Sequence, residues 1–467
     1  MLVLVPGAKP RYDPGSLFQG QGNSVIDLLP APAPIEVRSS APAARGRAVA
    51  AGNETGQADA VLWLLDRDHA DRLLEALPTG VPWLRLLQRA RAGDSPHTLV
   101  ARLPGPRGTL AVVGMVKAAT GAFARLDCAA RLVRQALEPG VRVLQVVPVG
   151  LGETAAGWLE AALSAALHAA VPLPQRKQSP RRPPLLERIE LGGELPAAVI
   201  ARALAVAEGN QLARWLTLLP PNVLDCVAYR KALQKLAKRE GWTFRFHDEA
   251  ALDKLGAGAF LAVSRANPHR GAGIVQLSYR PPGRVRKRAR PVALVGKGIC
   301  FDTGGINLKN HSGMFGMHGD MQGSAVAVGT LLALTRLAWA EPVECWLALT
   351  ENQIGPLAYR PQEVVTACNG VSIQVVHSDA EGRMVLADTL ALAARGKPRL
   401  LLDYATLTGA CVRALTERYS GAFTNRPALE GELVAAGREC GERVWCFPTS
   451  CSARSRARAT TSSRRAS

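Results

Sequence analysis

The feature that most constrains this chain is its alternation of short apolar runs with helix-length segments. Val141–Val149 is such a run; it breaks at Gly150-Leu151-Gly152 and leads into an Ala-rich segment over 153–170. Ala60–Leu65 and Thr109–Met115 read as strands of the same kind, and Ala122–Leu137 has helical periodicity. Strands separated by helices call for a mostly parallel sheet with helical crossovers. A Pro- and Arg-rich stretch, VPLPQRKQSPRRPPLLER over 171–188, interrupts the pattern and reads as a linker. The alternation then resumes. Helices fit Ala197–Leu216, 225–239, 320–338 and 384–395, the last closed by Gly396 as a C-cap. Strands fit Trp242–His247, Gly273–Tyr279, Val292–Val295, Glu344–Leu349, Ser372–Val376 and Leu400–Tyr404. The expected fold is α/β in two domains. A smaller N-terminal one covers 1–170. A larger C-terminal one covers 189–449, with a larger, mixed, mostly parallel sheet flanked by helices. With 467 residues the chain matches about 150 residues per domain for two or three domains.

Composition narrows the function classes. No apolar stretch approaches the roughly 18 residues of a membrane span, and the start, MLVLVPGAKPRYDPG, lacks the basic and long apolar regions of a signal peptide. A cytoplasmic location is the expectation. The nine cysteines are scattered without a CxxC, which argues against a disulfide framework or a thiolate zinc site. The net charge of +19 raises nucleic-acid binding. The charge concentrates in three places: Arg176 to Arg182, Arg280 to Arg290, and the last residues of the chain. None has interleaved aromatics for base stacking, so solvated loops are the plainer reading. Gly150 and Gly152 mimic half of a dinucleotide fingerprint, but Ala155 stands at the next glycine position.

Three segments of the second half carry unusual polar residues where strands end. In VGKGICFDTGGINLK (295–309), Lys297 and Asp302 leave a strand among glycines; the spacing is not that of a Walker A loop. HGDMQGSAVAVG (318–329) places Asp320 at the start of a helix. HSDAEGRMVLADTL (377–390) sets Asp379, Glu381 and Arg383 between a strand and a helix. Singly, Asp320 could be an N-cap, Asp379 a turn residue and Glu381 a first-turn acid. Together they are different. Strand carboxyl ends of an open α/β sheet converge on one crevice. Four carboxylates there repel unless cations neutralise them. Two divalent ions match, and oxygen ligands without Cys suit Mg, Mn or carboxylate-rich Zn sites. A lysine can join them only as a neutral amine, and dications favour that form.

These segments resemble the leucyl aminopeptidase (cytosol aminopeptidase) family of di-metal exopeptidases. The matching motifs are VGKG–FDTGG–NLK, GDMQG, HSDAEGR, ATLTG (405–409) and the loop LPPN (219–222), over about residues 190–450. The resemblance implies that Asp302 and Glu381 bridge two metals, that Lys297 and Asp320 complete the tighter site, and that Asp379 completes the more exchangeable one. It implies that Lys309 and Arg383 are catalytic without binding metal. Met317 then lines the pocket for the first side chain, and Thr406 and Leu407 hold the peptide backbone. The implied cofactors are two divalent ions, Mn or Zn with Mg or Co also suited, and a bicarbonate at Arg383. The implied reaction removes the N-terminal residue of a peptide with a free amine, using a hydroxide made between the metals. The implied assembly is a homohexamer. Two positions depart from the family pattern: His377-Ser378 stands for Asn-Thr, and Asn310 for a common Pro. Asp388 reads as a buried structural acid, and Cys300, His311 and His318 as bystanders. The alternatives are a DNA-binding architectural role and an impaired, truncated paralogue.

The last 18 residues, SCSARSRARATTSSRRAS, contain no Leu, Ile, Val, Phe, Met, Trp or Tyr. They cannot bury a face, and a disordered tail over 450–467 is expected. Family members continue here with further packed structure, so the expectation is a native C-terminal section replaced by a changed reading frame.

Overall fold

The computed structural model describes residues 28–31, 34–40, 58–91, 97–175, 186–268, 270–283 and 289–449. The expected tail over 450–467 and most of the three basic clusters lie outside them. Two clustered arginines inside are engaged: Arg280 pairs with Glu344 at 3.0 Å, and Arg290 donates to the carbonyls of Lys397 and Pro398.

The first sheet contains β1 (Glu36–Ser39), β2 (Ala60–Asp66), β3 (Thr98–Arg102), β4 (Leu110–Val116), β5 (Val143–Val149) and β6 (Arg188–Leu191), in the order β1-β6-β5-β2-β4-β3. All pairings are parallel except that of the edge strand β3 with β4. Every residue of β2 and β4 is buried, as parallel strands covered on both faces require. Helices α1 (Ala122–Ala136) and α2 (Ala155–Ala169) cover one face through Leu132, Val133, Trp158 and Ala162. Trp63, Trp83 and Leu87 form a second core on the other face.

The linker expectation needs correction at its end. Arg188 falls in the expected linker, yet it begins β6, which lies between β5 and β1. The first sheet therefore takes in chain from both sides of the Pro/Arg-rich stretch, whose residues 176–185 lie outside the described set. RIEL escapes sequence reading because four residues carry only two inward side chains, Ile189 and Leu191. The two cores meet along α3 (Ala197–Leu218). Ala203 and Ala207 enter the first core, and Leu212 and Leu216 the second.

The second sheet contains β7 (Thr243–Asp248), β8 (Gly273–Tyr279), β9 (Val292–Asp302), β10 (Val343–Asn352) and β13 (Leu400–Tyr404), in the order β13-β9-β10-β8-β7. Strand β9 is parallel to both neighbours, whereas the β10–β8 and β8–β7 pairs are antiparallel. Among the described residues its five strands make this the smaller of the two sheets, against expectation. The segment read at 372–376 is not in it: β12 (Ser372–Gln374) pairs with β11 (Val364–Thr366) as a separate hairpin, mostly exposed. Helices α4 (Cys226–Glu240), α5 (Gln322–Arg336) and α6 (Glu381–Arg395) pack around the sheet. Gly396 follows α6 in right-handed conformation (φ −70°), and Lys397 takes the left-handed turn instead (φ +48°).

Strand β9 runs seven residues beyond the expected Val295, through the glycines. Its glycines are there for closeness. A Cβ on Gly296 would sit 2.4 Å from the Ser324 Cα, so α5 lies directly on the strand. This contact fixes the start of α5, and Asp320 just before it, against the middle of β9.

Candidate active site

Lys297 is the sixth residue of β9 and is only 2% exposed. Its Nζ donates to Asp320 Oδ1 at 2.8 Å and to the Thr406 carbonyl at 3.0 Å, and lies 2.9 Å from Glu381 Oε1. Asp320 sits on a single 3-10 turn, Met317–Met321, that leads into α5. Glu381 opens α6. The next residue is glycine, which lets the lysine lie against the helix start: a Cβ on Gly382 would come 2.5 Å from the Lys297 Cε. Asp302 ends β9; its Oδ1 accepts from the Gly304 amide at 2.8 Å and from Asn352 Nδ2 at 2.9 Å. Its Oδ2 lies 2.9 Å from Lys309 Nζ, which also contacts Asp379 Oδ1. Gly304 and Gly305, both left-handed at φ +88° and +66°, turn the chain so that Lys309 faces back to the strand end.

Carboxylate oxygens of Asp302, Asp379 and Glu381 lie within 4.8 Å of one another. With Asp320 they make four acids against the ammoniums of Lys297 and Lys309. Burial pushes Asp320 up to about 7, against the pull of Lys297, and the neighbouring Glu381 adds to the rise. Burial disfavours the charge on both lysines, but the carboxylates outweigh it. Asp320 and Glu381 raise Lys297, and Asp379 and Asp302 raise Lys309. Protein charges alone thus hold Lys297 protonated. The neutral amine expected of a ligand requires further positive charge in the cluster.

The sequence profile described as the cytosol aminopeptidase family, catalytic domain, matches residues 211–462. This chain belongs to the cytosol aminopeptidase family. A probable cytosol aminopeptidase from Dechloromonas aromatica is 38% identical over 277 residues, which are 58% of this chain and 55% of that protein. The chain spans about half the length of the curated relatives it matches. The fold of a tomato leucine aminopeptidase variant superposes with a TM-score of 0.75 at 26% identity, over 90% of this chain and 84% of that one. The bottromycin maturation enzyme BotP in complex with Mn gives 0.67 at 30% identity, over 84% and 82%.

Within this cytosol aminopeptidase fold, Lys297, Asp302, Lys309, Asp320, Asp379 and Glu381 form one connected cluster, and Thr406 joins it. Thr406 does more than the resemblance implied: its Oγ1 donates to Asp320 Oδ1 at 2.7 Å while its carbonyl accepts from Lys297. Arg383, the third residue of α6, is exposed and has no polar contact with the cluster. Met317 is half-buried at the start of the Asp320 turn, and Leu407 is exposed. The departures from the family pattern are accommodated. His377 Nδ1 accepts from the Asp379 amide at 3.2 Å, and Asn310 Oδ1 caps the short helix His311–Met314 through the Gly313 amide. Asp388 is the structural acid expected: fully buried, it accepts from the amides of Phe260 and Cys368 at 2.8 and 2.6 Å.

Sequence reading missed the scaffold beneath the acids. Asn352, fully buried at the end of β10, donates to Asp302 Oδ1 and to the Ser378 carbonyl at 3.0 Å. The Tyr359 hydroxyl donates to the same carbonyl at 2.5 Å. The Ser378 side chain donates to the Gly304 carbonyl at 2.7 Å and accepts from the Asn307 amide. The signal for Asn352 was present: Glu351-Asn352 ends an apolar strand parallel to β9, at the same sheet edge as Asp302. An open groove lined by Glu249, Asp253, Leu261, Arg265 and Arg270 shares no residue with the cluster. Its arginines are paired, Arg270 with Glu249 and Arg265 with Glu363.

Proposed function

We propose that this chain is a metal-dependent aminopeptidase that removes the N-terminal residue from peptides. The observation that carries the reading is the cluster of four carboxylates, in which oxygens of Asp302, Asp379 and Glu381 lie within 4.8 Å of one another. The donor set fits divalent ions. Glu381 Oε2 is buried with no donor, and two ammoniums leave the four acids undercompensated. All-oxygen donors with one amine suit Mn or Zn, with Mg or Co also suited, and the Mn named with BotP supports a divalent ion in this fold.

Asp302 and Glu381 would hold both ions, Lys297 and Asp320 one of them, and Asp379 the other. When bound, the ions supply a water ionised near neutral pH and a polarised carbonyl. The chain's own groups do the rest. Thr406 fixes the Asp320 carboxylate, and Asn352 fixes that of Asp302. Lys309 places a cation beside Asp302 and Asp379, where it can stabilise negative charge developing on the scissile carbonyl oxygen. The exposed Arg383 guanidinium would hold a bicarbonate, and that anion would supply proton transfer to the leaving amine. Every carboxylate of the cluster is engaged, which leaves that task to an external base. Met317 and Leu407 would contact the substrate's first side chain and backbone. The reading includes a homohexamer and a cytoplasmic location; among the described residues no helix is long and apolar enough to cross a membrane.

The test is a screen of chromogenic aminoacyl substrates with Mn or Zn, before and after chelation. Hydrolysis should vanish with the chelator and return with the metal. Equal cleavage of an N-acetylated peptide would refute an enzyme that requires a free amine.

A further inference from the structure

The hairpin of β11 and β12 has one covered edge and one open edge. The helix Gly258–Ser264 lies against β11: a Cβ on Gly258 would come 2.5 Å from the Thr366 carbonyl oxygen. Strand β12 pairs only with β11 among the described residues. Its backbone bonds alternate. The Val375 amide donates to the Glu363 carbonyl at 2.8 Å, and the Val371 carbonyl accepts from the Ala367 amide at 2.9 Å. Residues 371, 373 and 375 therefore turn their backbone groups toward β11, and Ser372, Gln374 and Val376 turn theirs the other way. Among the described residues nothing pairs with those outward groups, and all three residues are exposed. Ile373 and Val375 anchor the strand to the core from its inner face.

An open strand edge is a template for another extended chain. This edge has a direction and a destination. Strand β12 runs toward the acid cluster, and Asp379 follows Val376 by three residues, a reach of at most about 11 Å. The end of that path is fixed. The Asn307 amide donates to Ser378 Oγ and the Ser378 amide to Asn307 Oδ1, each at 2.8 Å, which ties it to the loop that carries Lys309. A peptide with its free amine at the cluster must run away from it, and alongside β12 that is the antiparallel sense. We propose that the free edge of β12 binds the leaving part of the substrate, an extended peptide backbone that adds to the hairpin as a third strand. The proposal rests on the aminopeptidase reading above and deepens it: the preferred substrate becomes an extended oligopeptide rather than a dipeptide, whose single residue beyond the scissile bond cannot follow the edge. Val376 and Val364, 78% and 65% exposed, stand on the outward face of the widened sheet, where alternate side chains of the peptide would lie.

The experiment uses the full chain with Mn(II) and a series of peptides headed by leucine and continued by alanine, from dipeptide to heptapeptide, with released leucine quantified. From dipeptide to hexapeptide kcat/KM should rise at least about tenfold as backbone hydrogen bonds are added, chiefly through KM, and then level off. N-methylation of single amides beyond the scissile bond of the hexapeptide should remove the gain at alternate positions only. Gln374→Pro takes away an outward N–H and leaves the pairing with β11 in place. In that variant the ratio of hexapeptide to dipeptide kcat/KM should fall toward one, whereas Gln374→Ala, which keeps the amide, should retain the wild-type ratio. A rate independent of length, or N-methylation effects without alternation, overturns the proposal. A Gln374→Pro chain that loses self-association but keeps the length dependence assigns the edge to a second copy and overturns it too. A chain that cleaves no peptide of any length overturns the aminopeptidase reading as well, so the two failures are distinguishable. The N-methyl series uses the unaltered chain, so the proposal stays refutable even if Gln374→Pro does not fold.

Discussion

Asp302 and Glu381 each stand at a junction of the acid cluster, so their truncation should remove metal uptake and activity together. For Asp302→Ala and Glu381→Ala, metal analysis of the purified protein should show lost ions alongside lost hydrolysis; retained full metal content with lost hydrolysis would reassign these residues to catalysis. Asn352→Ala tests the layer beneath. It removes one donor from Asp302 and one from the Ser378 carbonyl, both inside the protein. Each acceptor keeps one other donor, the Gly304 amide on Asp302 and the Tyr359 hydroxyl on the Ser378 carbonyl, so the expected cost is that of two ordinary hydrogen bonds, about 1–3 kcal/mol, and the loosened Asp302 should weaken ion binding as well. Urea melts and Mn(II) affinity of the same variant check the two effects, and a purely structural Asn352 would move only the first. At this scale the acids were legible because carboxylates and lysines are rare at strand ends among glycines. Asn352, Tyr359 and Ser378 were not, because a side chain that serves another side chain has no spacing rule. Their partners are 19 to 74 residues away in sequence. Thr406 is legible through its ATLTG motif, and its hydroxyl bond to Asp320 is a further contact that the motif alone does not announce.

Among elements, Arg336 at the end of α5 ties three helices together. It donates to Glu208 on α3 at 2.7 Å and to Glu240 at the end of α4 at 2.5 Å. Burial alone would raise Glu240, but hydrogen bonds from Arg336 and Arg239 outweigh it and hold the carboxyl below its ordinary value. A carboxyl whose value is depressed on folding adds stability above its unfolded value, and that stability is lost as pH falls through the folded one. Glu240→Gln should therefore lower the melting temperature at pH 7, by an amount equivalent to about 1–3 kcal/mol for lost charged hydrogen bonds. The gap between wild type and variant should close as pH drops toward 3. A gap that stays constant with pH would mean that the pair acts only through packing. The helices themselves were legible, since α3, α4, α5 and α6 fall within a few residues of the expected ranges. The strands failed where they were short. β1 and β6 have four residues each, too few for a period, and the expected strand at 372–376 proved to be three residues of an exposed hairpin.

For the whole molecule, charge and exposed apolar surface pull against each other. Phe423, Trp445, Val412 and Leu407 are 43 to 63% exposed, and Phe423 stacks on Phe447 with ring centroids 5.0 Å apart. They cluster in sequence around the small parallel sheet of β14 (Ser420–Ala422) and β15 (Val444–Cys446) and the helix α7 (Ala428–Cys440) between its strands. A second set, Phe315, Val376 and Leu308, is 55 to 82% exposed beside the residues of the acid cluster. Single exposed apolar residues are ordinary, but grouped ones favour association. Against this stands a net charge of +19, which keeps copies apart at low ionic strength. Salt screens the repulsion: the Debye length falls from about 30 Å at 0.01 M to about 8 Å at 0.15 M. It does not weaken apolar contact. Self-association should therefore increase with salt, the reverse of what ion-pair contacts between copies would give. Sedimentation velocity at micromolar concentration between 0.01 and 0.5 M NaCl should show growth from smaller to larger species. Phe423→Asp with Trp445→Asp should reduce that growth without altering metal content. A monomer at every salt concentration would remove both the apolar drive and the hexamer proposed for this chain, and assembly that dissolves as salt rises would place charge at the interface instead.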